Sequence, residues 1–145
     1  MQAIQVRKEL TDEWSDRGVQ QGREYAILTD EITRAWSGMS TRQYKNLKGL
    51  KKENLRDNMS TTEIILNMLA ETATKDISKQ SQPESFEENR SVAKRGGRIA
   101  GNARKELELE LGHSVITSKN ATQLNEVVTN MIESVVSDED DNEDE

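Results

Sequence analysis

Ser60 and Glu63 stand at the head of STTEIILNMLAETAT, and their S-x-x-E spacing narrows the folds open to this chain more than any other feature. In such a capping box the serine hydroxyl and the glutamate carboxylate each accept a backbone N–H that the first helical turn leaves unpaired. A helix is therefore predicted to begin at Thr61 and to run to about Ile77. Within it Ile64, Ile65, Leu66, Met68 and Leu69 recur at helical spacing, an apolar stripe that a short chain can hide only by packing it on other helices. The rest of the chain supplies little for a large core: of 145 residues 32% are hydrophobic and 3% aromatic, with one Pro and eight Gly. That mixture favours helices over a strand-rich sandwich. The expected fold is all-α, a small bundle of about five to six helices. It is expected to occupy residues 1–137, with residues 78–85 as the place where it would subdivide.

Local patterns place the other helices. Val6, Leu10 and Trp14 lie four apart and predict a helix from Ala3 to Asp16, anchored by Trp14 and stopped by Gly18. Thr29 is predicted to cap a short helix that ends at Trp36 to Gly38. Ser40 and Gln43 repeat the capping box and predict a helix from Thr41 to about Lys48. The tight Gly38-Met39 turn between these two invites a helix-turn-helix reading with Thr41 to Leu47 as recognition element; an ordinary helical corner with solvated cations fits the same residues. After a polar loop at Ser78 to Glu84, Phe86 is expected to pin a helix over Glu87 to Lys94 that Gly96-Gly97 ends. Leu107, Leu109 and Leu111 lead to another stop at Gly112, and Val115 to Thr117 is expected to be extended. A last helix, Ala121 to Val136 behind Ser118 or Asn120, carries an apolar face that would complete the core or form a homodimer seam.

Charge is divided unevenly along the chain. The formal net charge is -7, yet DEDDNEDE at residues 138–145 holds seven acidic groups, and without it 20 Asp+Glu balance 20 Lys+Arg. Such a block cannot offset its ordering entropy and is expected to be a disordered tail. With no cysteine there is no disulfide framework or thiolate metal site, which leaves a reducing compartment, and hence the cytoplasm, as the expected location. Neither a signal peptide nor a membrane-spanning run is legible.

Catalytic chemistry finds few candidates. His113 is the single histidine, and no nucleophile–base–acid set can be assembled around it by pattern. The tail lacks the glycine and ligand spacing of a calcium loop. Gly96, Gly97 and Gly101 sit among Lys94, Arg95, Arg98, Arg104 and Lys105, but they match neither the dinucleotide fingerprint nor the P-loop. A non-enzymatic protein without cofactor or metal is expected. Its candidate nucleic-acid or partner contacts are Arg42, Lys45 and Lys48 at helical spacing, Lys51, Lys52 and Arg56 just beyond, and Arg95 and Arg98 in a second basic turn. If the two turns meet, they form one composite surface.

Three stretches carry a family resemblance. EYAILTDEITRAWSGMS, then KGLKKENLRDNM followed by TEIILNMLAETAT, then FEENRSVAKRGGRIAGNARKELELELG occur in an order and with gaps that resemble the C-terminal part of the DNA-damage-inducible protein D (DinD) family. The similarity extends over roughly Arg7 to Asn125. It implies a regulatory protein of prophage or SOS type, and in the family's best-known member an inhibitor of the RecA recombinase on single-stranded DNA. The family's Bro-type N-terminal domain, its usual candidate for DNA contact, has no counterpart among these residues, so its role is not carried over. The expected partner is a protein on DNA, such as a RecA-like filament, or DNA itself through the basic turns, and no membrane. The alternative is a phage-encoded inhibitor of a host defence or restriction protein, acting by protein binding or by DNA mimicry.

Overall fold

The structure is a computed structural model, and it describes residues 2–123. Five α-helices follow one another: α1 Gln2–Asp16, α2 Arg23–Ser37, α3 Thr41–Leu47, α4 Thr61–Ser81 and α5 Phe86–Leu111, with a 3-10 turn at Arg56–Asn58 before α4. The described residues contain no strand, so the all-α expectation holds. Asn120 and Gln123 exchange capping hydrogen bonds of 3.2 and 3.0 Å at the start of a helical turn, Ala121 to Gln123. The remainder of the expected last helix, its dimer seam and the acidic tail at 138–145 lie outside the described residues. No described helix is long and apolar enough to cross a membrane.

The long α5 lies against both α4 and α2, α1 packs on α4, and α3 sits on α2. Leu10 and Trp14 of α1, Leu28, Ile32 and Trp36 of α2, and Tyr44 of α3 are all but completely buried. Both predicted capping boxes form, with Gln43 N donating to Ser40 Oγ at 3.1 Å and Glu63 N to Ser60 Oγ at 3.3 Å. Ser85 caps α5, and Gly112, at φ 77°, ends it in the left-handed conformation that favours glycine.

Four expectations change. Helix α2 starts at Arg23 behind Gly22, so Thr29 is interior and not a cap; its hydroxyl donates back to Tyr25 O at 2.7 Å, the i−4 bond that lets threonine sit inside a helix. Helix α4 continues past Ile77 to Ser81 and leaves only a short turn around Pro83 before α5. Gly96-Gly97 does not end a helix, because α5 runs straight through it. A Cβ on Gly96 would stand 2.6 Å from Thr74 N, one on Gly97 2.5 Å from Ala35 Cβ, and one on Gly101 2.6 Å from Ala35 O. Glycine costs a helix interior about 1 kcal/mol relative to alanine, and here that cost is offset by backbone-to-backbone packing against α4 and α2.

The fourth change concerns α4 itself. Ile65 is 59% and Leu69 38% exposed, while Glu63, Asn67, Glu71, Thr74 and Ser78 are buried beside Leu66 and Ala70. The helix turns a largely polar face inward because the neighbouring elements present cations and hydroxyls to it. Val115 to Thr117 is irregular, and Val115 and Ile116 rest against the core without pairing as strand.

Candidate functional site

Three carboxylates buried on or against α4 decide which basic side chains remain free. Glu63 is fully buried and accepts from the Tyr44 hydroxyl, from Lys48 Nζ at 3.0 Å and from Ser60 N at 3.0 Å. Lys48 is equally enclosed and also donates to Lys119 O at 2.6 Å. Burial, and after it the Glu63 carboxylate, drive the Tyr44 phenol far above its usual range, so it keeps its proton and serves as a donor. Glu71 Oε2 takes Arg7 Nη1 and Arg56 Nη2, each at 3.1 Å, and its other oxygen takes Asn67 Nδ2 at 3.2 Å. Burial raises the Glu71 carboxyl above the ordinary carboxylate value, with Arg56 and Arg7 opposing the shift. Glu13 of α1 pairs with Arg17 at 2.8 Å and accepts from Ser78 Oγ at 2.6 Å.

This arrangement divides the candidate contacts. Lys48 is committed to the interior, and Arg56 is half-buried on Glu71. Arg42 stands exposed on α3, Lys45 is half-buried one turn on, and Lys51 and Lys52 are exposed in the following loop. None of these four enters an ion pair among the described residues. The loop that carries them is held in place from inside: Leu50 and Leu55 are buried at its two ends, Leu50 N donates to Lys45 O at 2.9 Å, and Gly49 takes φ 72°. Glu53 interrupts the cations and accepts from Lys51 N at 2.6 Å, a bond that keeps its carboxyl below the usual range. Seven-residue α3 turns Tyr44 inward against Trp36, ring centroids 5.9 Å apart, and offers Arg42, Gln43 and Asn46 to solvent.

Arg95 and Arg98 are exposed on α5, next to Gly96 and Gly97, which face α4 and α2. They therefore project from the outer side of a continuous helix and do not form a second basic turn. Arg104, roughly two turns further on, is the α5 residue that reaches the α2–α3 corner, donating to Trp36 O at 2.7 Å.

Residues 2–123 match the family model of the DinD C-terminal domain. The chain belongs to the DinD C-terminal domain family. Searches of curated proteins and of solved structures returned no match.

In this DinD-type domain one feature had no signal in the sequence. A cavity of about 250 Å³ opens between α1, α2, α3, the segment before α4 and Asn67 of α4, and Lys45 and Arg56 share its wall with Arg7. Arg7 lies 64 residues from its partner Glu71, so no local pattern could have assigned it to this place. Only the packing of α1 across α4 puts it there.

Proposed function

We propose that this domain is a non-enzymatic regulatory module of the DNA-damage type that docks on DNA, or on a recombinase filament assembled on single-stranded DNA, through the α3 strip. The observation that supports it is the selective exposure of cations: Lys48 and Arg56 are tied to buried carboxylates, while Arg42, Lys45, Lys51 and Lys52 stay unpaired among the described residues on one pinned helix–loop segment. Cations free of internal partners can release counterions from a phosphate backbone, and a loop held by Leu50 and Leu55 presents them without much ordering cost. Arg95 and Arg98 form a separate pair that would meet a second region of an extended partner.

Titration of single-stranded DNA, bare and coated with a RecA-type recombinase, into the full chain and a Lys51→Gln/Lys52→Gln double variant tests this reading. Binding is expected to weaken with salt, and loss of two phosphate contacts should make the logarithmic salt slope shallower by about 1.4. Binding that ignores both salt and the double substitution would sink it.

A further inference from the structure

Arg95, Arg98, Asn102, Lys105 and Leu109 follow one another along α5 at spacings of three and four, so they form one stripe on the helix, and all of them are exposed. The opposite side of the same helix is fixed: Gly96 meets Thr74, and Gly97 and Gly101 meet Ala35, too closely to admit a methyl group. Helix α5 therefore cannot roll to hide the stripe. No Asp or Glu occurs from Asn89 to Lys105, and the cations that turn back onto the domain are other ones. Arg90 pairs with Glu31 at 2.8 Å, Lys94 leans to the same carboxylate at 3.9 Å, and Arg104 takes Glu108 at 2.8 Å. Arg95, Arg98 and Lys105 enter no ion pair among the described residues. The stripe ends in Leu109, which at 84% is the most exposed large hydrophobic side chain among the described residues. It stands at a shallow hollow of about 560 Å³ that Lys105, Gly112 and His113 also line. Glu108 lines the hollow too, but its carboxylate is engaged by Arg104, by Ser114 Oγ at 3.2 Å and by Val115 N at 3.0 Å.

We propose that this face docks an acidic peptide segment of a partner protein, with its carboxylates on Arg95, Arg98 and Lys105 and an apolar residue at Leu109. Cations alone would serve a phosphate backbone equally well. Leu109 and the lack of aromatic rings decide between the two. Single-stranded nucleic acid is held by bases stacked on aromatic side chains as well as by charge, and α5 carries no Phe, Tyr or Trp after Phe86. An exposed leucine adds nothing to a phosphate contact, whereas covering it with a peptide side chain removes apolar surface from water. Arg95 and Leu109 stand about 21 Å apart along the helix axis, the length of about six extended residues. Glu106 and Glu110 are exposed on the α4 side of the stripe, so they confine an acidic chain to the α2 side. The inference rests on the reading above only in taking Arg95 and Arg98 as contacts to a second region of the partner, and it names the chemistry of that region.

Fluorescence anisotropy of a labelled peptide, Glu-Asp-Glu-Asp-Glu-Ile-Leu, titrated with the full chain, tests the face. One control peptide ends in Gly-Ser in place of Ile-Leu, and another carries Gln and Asn in place of Glu and Asp. The acidic peptide with the apolar end is expected to bind best. Its affinity should fall at least tenfold in Arg98→Gln/Lys105→Gln and severalfold in Leu109→Ser, variants that touch only exposed side chains. Lys51→Gln/Lys52→Gln should leave the titration unchanged, so failure of the α3 reading and failure of this one show in different variants. Equal affinity for the two acidic peptides would mean that charge alone is read and would overturn the proposal. No binding of any peptide, or binding indifferent to both α5 variants, would overturn it as well. So would a single-stranded oligonucleotide whose binding falls in Arg98→Gln/Lys105→Gln while that of the peptide does not, an outcome that assigns the face to nucleic acid.

Discussion

Along the inward side of α4, Glu63 and Glu71 receive long cationic side chains from α1 and from the segment between α3 and α4, whereas Thr74, a turn further on, meets the bare backbone of Gly96. One helix thus holds the neighbours of Glu63 and Glu71 and the neighbour of Thr74 by opposite means. Lysine and arginine reach across several ångströms, so charge pairing tolerates separation and leaves a cavity beside Arg7 and Arg56. Glycine packing works only at backbone contact and leaves no space there. The first kind of contact leaves room beside it, and the second leaves none.

Lys48→Met strikes the charged contacts hardest. It abandons Glu63 in the interior with the Tyr44 hydroxyl and Ser60 N as remaining donors, and breaking a buried pair in this way costs about 3–5 kcal/mol. Urea unfolding reads the loss directly; a change under about 1 kcal/mol would mean that the charge is well hydrated in solution. Gly96→Ala attacks the glycine contact. Its methyl group would press on Thr74 N and Cα, at 2.6 and 2.7 Å, and since main chain cannot swing aside, overpacking should outweigh the helix-propensity gain and leave a net loss of about 2 kcal/mol. An alanine variant as stable as the parent would show that α4 and α5 can slide apart without cost.

The smallest effect is a matter of pH. Because burial holds the folded Glu71 carboxyl above its ordinary value of 4.5, the folded state binds more protons than the unfolded one in the range just above that value. Stability contributed by this group is therefore greatest at low pH and declines as pH rises through the folded pKa. Glu71→Gln should flatten that decline. The difference between the two unfolding curves, followed upward from about pH 4.5, checks the sign, and a parent curve that climbs more steeply than the variant's would reverse the assignment.

What could be read in advance follows from the distance over which each interaction acts. Both capping boxes were legible, because Ser40 with Gln43 and Ser60 with Glu63 complete their bonds within a single turn. Trp14 as an anchor was equally local, fixed by its spacing from Val6 and Leu10. Gly96-Gly97 was misread because a glycine pair that stops a helix and one that admits a neighbour are the same two letters; only Thr74 and Ala35, brought in by tertiary packing, tell them apart. The stripe of Ile65 and Leu69 misled for a related reason. Apolar periodicity finds the inward side of a helix when neighbours are apolar, and here Lys48, Arg7 and Arg56 made the Glu63–Glu71 side the better buried one. Of the basic cluster, composition identified the segment but could not say that Lys48 would be enclosed, since lysine is so seldom found there.

The bond from Lys48 to Lys119 O also fixes the position of the last described residues. Asn120 Nδ2 donates to Lys48 O at 3.2 Å and Ala121 N to Asn58 Oδ1 at 2.8 Å, so Gln123 stands at the corner where α3 gives way to α4. A fluorophore on Gln123 stands beside the basic strip, while one at exposed Ser91 stands near the far end of α4. The 21 residues of that helix put about 30 Å between the two, a separation over which energy transfer can distinguish a partner on the strip from one on the outer side of α5.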